Sequence, residues 1–128
     1  MNACSQSIRE LQFTIYVGFS IGDFLHGGIA ATLLDEVAFW AVQALLDSSG
    51  VTSELDVKYL KPIHISHGQI TVTAKLKGQV GKHLYAFETQ LFDGIDLLCA
   101  EGIATYFVYP KELAKSKFMY PGKEALGL

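Results

Sequence analysis

Residues 24–40 read F-L-H-G-G-I-A-A-T-L-L-D-E-V-A-F-W, and the way this stretch folds decides how the rest of the chain is arranged around it. His26-Gly27-Gly28 is turn chemistry. From residue 29 to residue 47 there is no Gly or Pro, and Ala and Leu dominate, which predicts a helix. Asp47-Ser48-Ser49-Gly50 then ends it. The helix is apolar on almost every face and therefore needs cover on all sides. Midway along it sit two adjacent carboxylates, Asp35 and Glu36, where a buried helix carries acid only with a partner or a task.

The flanks are strand. Residues 11–17, L-Q-F-T-I-Y-V, alternate apolar and polar with the period of two of a half-buried strand. Residues 18–28 hold four glycines and read as a loop. After the helix, residues 51–61 alternate, with Val51, Ser53, Leu55, Val57 and Tyr59 on one side and Thr52, Glu54, Asp56 and Lys58 on the other. Residues 69–77 alternate again, 78–83 read as a hairpin turn, 84–92 as a strand and Asp93-Gly94 as a turn. Residues 97–109 form a long apolar strand interrupted at Gly102. One strand, one long helix and a four-strand meander predict an α+β fold, a curled antiparallel sheet wrapping one central helix. The expected domain covers residues 1–110. Residues 111–128, with Lys111, Lys115, Lys117 and Lys123, form a basic tail packed on it or extending from it.

Bulk properties narrow the function. The chain of 128 residues is one domain by length. Half of its residues are hydrophobic and 18% are charged, so extra buried surface between subunits is expected. A net charge of −3 argues against nucleic acid as a partner. No apolar run reaches ~18 residues without a charge, so no membrane span is expected. Cys4 and Cys99 make neither a disulfide framework nor a zinc spacing and read as free thiols of a cytoplasmic protein. His64 and His67 stand three apart in a turn without a third ligand nearby, so no metal site is expected, and no cofactor. No G-x-S-x-G elbow supports a serine triad.

The chemistry gathers on the helix. Two glycines at its start give close access to N–H groups that lack an intrahelical acceptor, at the positive end of the helix dipole. The N–H of Gly27 or Gly28 there can polarise a carbonyl and stabilise an oxyanion. Asp35, in apolar surroundings, can act as a base toward water or as a nucleophile. Gly27 and Asp35 are eight residues apart, ~12 Å along a helix. That is too far for both to serve one carbonyl within a single subunit. Two such helices packed antiparallel about a two-fold axis would bring the glycines of one to Asp35 of the other, at a site between subunits.

With H-G-G-I-A-A-T-L-L-D-E, the segment G-V-T-S-E-L-D-V-K-Y-L-K-P after the helix, and this order of elements, residues 11–109 resemble the hotdog-fold acyl-CoA thioesterases. The resemblance is strongest to their phenylacetate-pathway subgroup. It implies a hotdog fold and hydrolysis of a thioester, usually of coenzyme A, by a homodimer or homotetramer with sites at the dimer interface. By the same resemblance Gly27 matches the oxyanion donor and Asp35 the catalytic carboxylate from the opposite subunit. Thr52 falls where relatives position the water, His26 matches the histidine that orders the loop, and His26 and Gly28 are the substrate-binding candidates of that turn. Six residues before His26, relatives carry Asn or Gln, but this chain has Ser20, which is shorter. Lys82 and His83 occupy a hairpin that in relatives lies near the nucleotide of coenzyme A, and Lys58 and Lys61 can add to its phosphate attraction. The alternatives are a non-catalytic acyl-CoA binding module and a hydratase or dehydratase on the same fold.

Overall fold

The computed structural model describes residues 2–6, 10–15, 20–117 and 119–127. Strands β1 (Asn2–Gln6), β2 (Glu10–Ile15), β3 (Ser20–Ile21) and β4 (Phe24–Leu25) precede the 20-residue helix α1 (Gly27–Leu46). Strand β5 (Gly50–Tyr59) follows, then a 3-10 turn (Ile65–His67), β6 (Ile70–Gly81), β7 (Leu84–Phe92), β8 (Leu98–Val108) and the short α2 (Lys111–Lys117). Six strands form one antiparallel sheet in the order β1-β2-β6-β7-β8-β5, and α1 packs across it against β2, β5, β6, β7 and β8. This is the curled sheet wrapped around a single long helix that the sequence predicts.

Burial explains the helix. Ala30, Leu34, Val37, Ala38, Ala41 and Val42 recur at the spacing of one helical stripe and are buried against Ile70, Val72, Phe87, Leu91, Ala104 and Tyr106 of the sheet. Leu33, Phe39 and Trp40 lie off that stripe and are only half-buried. By length and composition α1 could cross a membrane, but here it is the core helix of the sheet.

The sheet differs from the sequence reading in several places, each for a local reason. The four strands after α1 are not one meander. β6, β7 and β8 are, but β5 pairs with β8 at the far edge, because residues 60–69 and their 3-10 turn are too long for a hairpin and carry the chain across to β6 beside β2. The glycine-rich loop contains the hairpin β3–β4, turned at Gly22 with φ of 63°. The strand after the next turn is also longer than its alternation suggests. β6 runs to Gly81 through register shifts between Leu76 and Gly78 and between Gln79 and Gly81, so its end bends without losing its pairing to β7. β1, which sequence patterning does not reveal, extends the sheet beyond β2. Tyr16 and Val17, the end of the strand read at 11–17, lie outside the described residues.

Gly50 begins β5 where a side chain has no room: a Cβ there would lie 2.3 Å from the carbonyl oxygen of Phe107. Gly50→Ala is expected to cost roughly 1–3 kcal/mol, seen as a lower midpoint in a thermal melt followed by circular dichroism.

The tail closes the other end of α1. Asp47 caps the helix in the left-handed region, φ 48°. Its carboxylate pairs with Lys111 and accepts from the Lys123 N–H at 3.1 Å and the Tyr120 hydroxyl at 2.8 Å. Ala114 and Tyr120 are buried. The Lys111 ammonium first, then the Lys123 N–H and the Tyr120 hydroxyl, hold the Asp47 carboxyl far below its ordinary value of 3.8. A carboxyl depressed on folding stabilises the fold above its unfolded value and loses that contribution as pH falls toward its folded one. Asp47→Asn keeps a residue tolerant of the left-handed region. It should therefore melt below wild type at neutral pH, and the gap should close as the melts are taken below about pH 4.

Candidate active site

His26 sets the start of α1. It is the N-cap, with φ −62° and ψ 135°, and its Nδ1 accepts the Gly28 N–H at 3.0 Å. Its carbonyl accepts from Ile29 at 3.0 Å and Ala30 at 3.1 Å. The first-turn N–H groups of a helix have no intrahelical acceptor of their own. Here all of them but one are taken up by His26, and the Gly27 N–H donates to no described residue. The Tyr59 hydroxyl donates to the Gly27 carbonyl at 2.7 Å, tying this turn to the end of β5. Beside it a recess of ≈ 300 Å³ is walled by Leu25, Tyr59, Leu60, Pro62 and Ile63, with Gly27 on one side.

Asp35 follows the buried Leu34 by one residue, so it stands about 100° around the helix, at the flank of the core stripe. It is half-buried. Its Oδ1 accepts from the Thr52 hydroxyl at 2.9 Å and from the Tyr106 hydroxyl at 2.6 Å. Strand alternation alone would point Thr52 away from Leu55 and Val57. The register shift between Thr52 and Glu54 inserts Ser53 as an extra residue. Thr52 then falls opposite Tyr106, on the face where Leu55 lies opposite the buried Ala104. The bulge is thus what delivers Thr52 to Asp35. Glu36 has a different fate: it accepts from Trp40 Nε1 at 3.0 Å, one turn along its own helix.

Sequence reasoning did not single out Tyr59 or Tyr106. Both lie on strands in the expected places; alternation already sets Tyr59 on the side of Leu55 and Val57, but only register shows that Tyr106 faces the helix.

The remaining candidates are dispersed. Ser20 pairs with Leu25, next to His26, while its side chain lies outside the described residues. Lys82 and His83 are the two-residue turn between β6 and β7; Lys82 is exposed, and His83 has φ 62° with its ring 5.5 Å from that of Phe107. Since Phe107 pairs with both Val51 and Leu84, this turn is at the Thr52 end of the sheet. Lys61 borders the recess beside Gly27. Lys58 is opposite Glu101 in a groove on the outer face of the sheet.

His64 and His67, whose rings are 4.9 Å apart, each take a carboxylate: His64 Nδ1 is 3.0 Å from Asp23, and His67 Nδ1 is 3.1 Å from the buried Asp93. Burial works to raise the Asp93 carboxyl, but hydrogen bonds from His67, Leu97 and Ile95 outweigh it and leave it below its ordinary range. Both histidines thus brace the loop between β5 and β6. Among the described residues no group of three His, Cys, Asp or Glu is placed to hold a metal ion.

The family model of the thioesterase superfamily matches residues 22–100, most of the sheet and the whole of α1. The chain belongs to this superfamily. A curated relative, the "Putative esterase" of Saccharolobus solfataricus, is 36% identical over 90 residues, 70% of this chain; the chain spans 58% of the length of that relative. A Bacillus halodurans protein crystallised with CoA is 27% identical, with a TM-score of 0.71 over 85% of this chain and 74% of its own. A hypothetical thioesterase of Streptococcus pneumoniae, solved with coenzyme A, is 19% identical with a TM-score of 0.76, covering 86% of each chain, and shows the shared fold. The architecture is the hotdog fold of the thioesterases.

Proposed function

We propose that this chain hydrolyses an acyl thioester of coenzyme A, as a homodimer or homotetramer whose active site is built from two subunits. The observation that carries the reading is the Gly27 N–H at the N-terminus of α1, without an acceptor among the described residues while its neighbours are engaged by His26. A helix dipole and an unclaimed donor together suit an oxygen that gains negative charge. Asp35 is the second element, and ~12 Å of helix separates it from Gly27 in the same chain. An antiparallel partner helix shortens that separation and would also cover the half-buried Leu33, Phe39 and Trp40.

In this mechanism the thioester carbonyl oxygen accepts from Gly27, and the recess beside it takes one arm of the substrate. Asp35 of the opposite subunit accepts a proton from water as that water attacks the carbonyl carbon. The tetrahedral intermediate collapses, the C–S bond breaks, and the sulfur leaves as thiolate and gains a proton, giving free acid and thiol. His26 holds the loop, and Thr52 holds Asp35 and the water. The Lys82-His83 turn, with Lys61, offers positive charge to phosphates. Coenzyme A as the thiol is supported by the Bacillus halodurans relative with CoA bound. The use of a reducing compartment, the cytoplasm, belongs to the same proposal, as does membership of the phenylacetate-pathway subgroup.

The test is thiol release from short-chain, long-chain and aromatic acyl-CoAs by the purified protein. Turnover of at least one supports the proposal. Tight acyl-CoA binding with no thiol released from any of them replaces it with a binding module.

A further inference from the structure

The two oxygens of the Asp35 carboxylate are not equivalent. Oδ1 carries both hydroxyl donors, Thr52 at 2.9 Å and Tyr106 at 2.6 Å, while Oδ2 has no donor among the described residues. The Tyr106 hydroxyl is also 2.9 Å from the Asp35 carbonyl. A phenol has one proton, and the shorter distance is the length expected of O–H donated to a charged oxygen, so the carboxylate is the main acceptor.

Tyr106 is built to hold that bond. It is 2% exposed, and its ring meets that of Phe87, itself fully buried, edge-on at 6.3 Å. Burial, and then the hydrogen bond to Asp35, push the phenol well above its ordinary value of 10.0. It therefore remains a donor at any pH at which the fold is used. A carboxylate otherwise turns broadly about its last torsion. Two donors on one oxygen stop that rotation and leave the lone pairs of the other for chemistry.

We propose that Tyr106 is the positioning residue of the site: its phenol, with the Thr52 hydroxyl, anchors Asp35 Oδ1 so that Oδ2 alone meets the reacting water. The proposal rests on the reading of Asp35 as the reacting carboxylate. It assigns the last strand of the sheet a part in the chemistry that its sequence does not announce.

The experiment is the measurement of kcat and KM for wild type, Tyr106→Phe and Asp35→Asn with one acyl-CoA that wild type turns over. Tyr106→Phe removes one oxygen and keeps the ring. Its kcat should fall roughly 10-fold or more, the loss expected of a hydrogen bond to a charged group, with KM changed less than about two-fold. A purely structural tyrosine would alter only the melt. An unchanged kcat, beside an inactive Asp35→Asn, overturns the proposal alone. A fully active Asp35→Asn overturns the reading beneath it as well. Should Tyr106→Phe fail to fold, proton NMR decides. A downfield Tyr106 hydroxyl resonance in wild type that is lost in Asp35→Ala supports the anchor, and its absence from wild type overturns it.

Discussion

Asp35→Asn is expected to lower kcat for acyl-CoA hydrolysis by ~10²–10⁴ while leaving the thermal midpoint close to that of wild type. Asn has the same shape, and its side-chain oxygen can still accept from Thr52 and Tyr106, whose hydroxyls are 2.9 and 2.6 Å from Oδ1. Only the ability to take a proton from water is removed. Because the substitution leaves the helix start and the recess untouched, KM should change little, the pattern of an interaction made in the transition state. Thiol release under saturating substrate measures this directly, and a variant that keeps more than about a tenth of the wild-type rate would set Asp35 aside as the base.

Gly27→Pro should be nearly as severe, for a different reason. Proline lacks the N–H that the proposal places on the thioester oxygen, and it is well suited to the first position of a helix. Its preceding residue must be extended, and His26 already is, at φ −62° and ψ 135°. The helix should therefore form as before while kcat falls ~10²–10³, the usual loss of one oxyanion donor. Gly27→Ala is the companion variant. It retains the N–H and brings its Cβ to 3.4 Å from the Tyr59 ring, ordinary contact, so it should keep most of the activity. A Gly27→Pro protein as active as Gly27→Ala would remove the oxyanion role.

Much of this was legible from the chain. The central helix follows from residues 29–47, where composition and length agree, and its need for cover on every side is what the sheet satisfies on one face. Its start is two residues earlier than the apolar run because the cap is made by a histidine, an uncommon N-cap, through its ring nitrogen. The order of strands was not legible. Alternation in residues 51–61 shows a strand but not its partner, and β5 finds β8, some fifty residues away, instead of its neighbour in sequence.

The site was legible in the same uneven way. His26, Gly27 and Asp35 share one helix and one motif, so their spacing alone raises the question of a second subunit. Thr52 was matched through resemblance, whereas strict alternation puts it on the wrong face; the extra residue at Ser53 is the physical reason that it reaches Asp35. Tyr106 sits in an apolar strand with little alternation, and nothing in its neighbours distinguishes it from core packing. Its hydrogen bond to Asp35 appears only when register sets it opposite Thr52.

The shared site is tested most directly by mixing two dead proteins. Gly27→Pro and Asp35→Asn are each purified, shown to be inactive in thiol release, and allowed to exchange subunits, with mixed dimers verified by mass. If donor and base come from opposite subunits, each mixed dimer holds one site with both substitutions and one with neither, so activity should return to roughly a quarter of wild type. Mixed dimers that stay inactive, or a wild-type monomer with full activity, would contradict a site built between subunits.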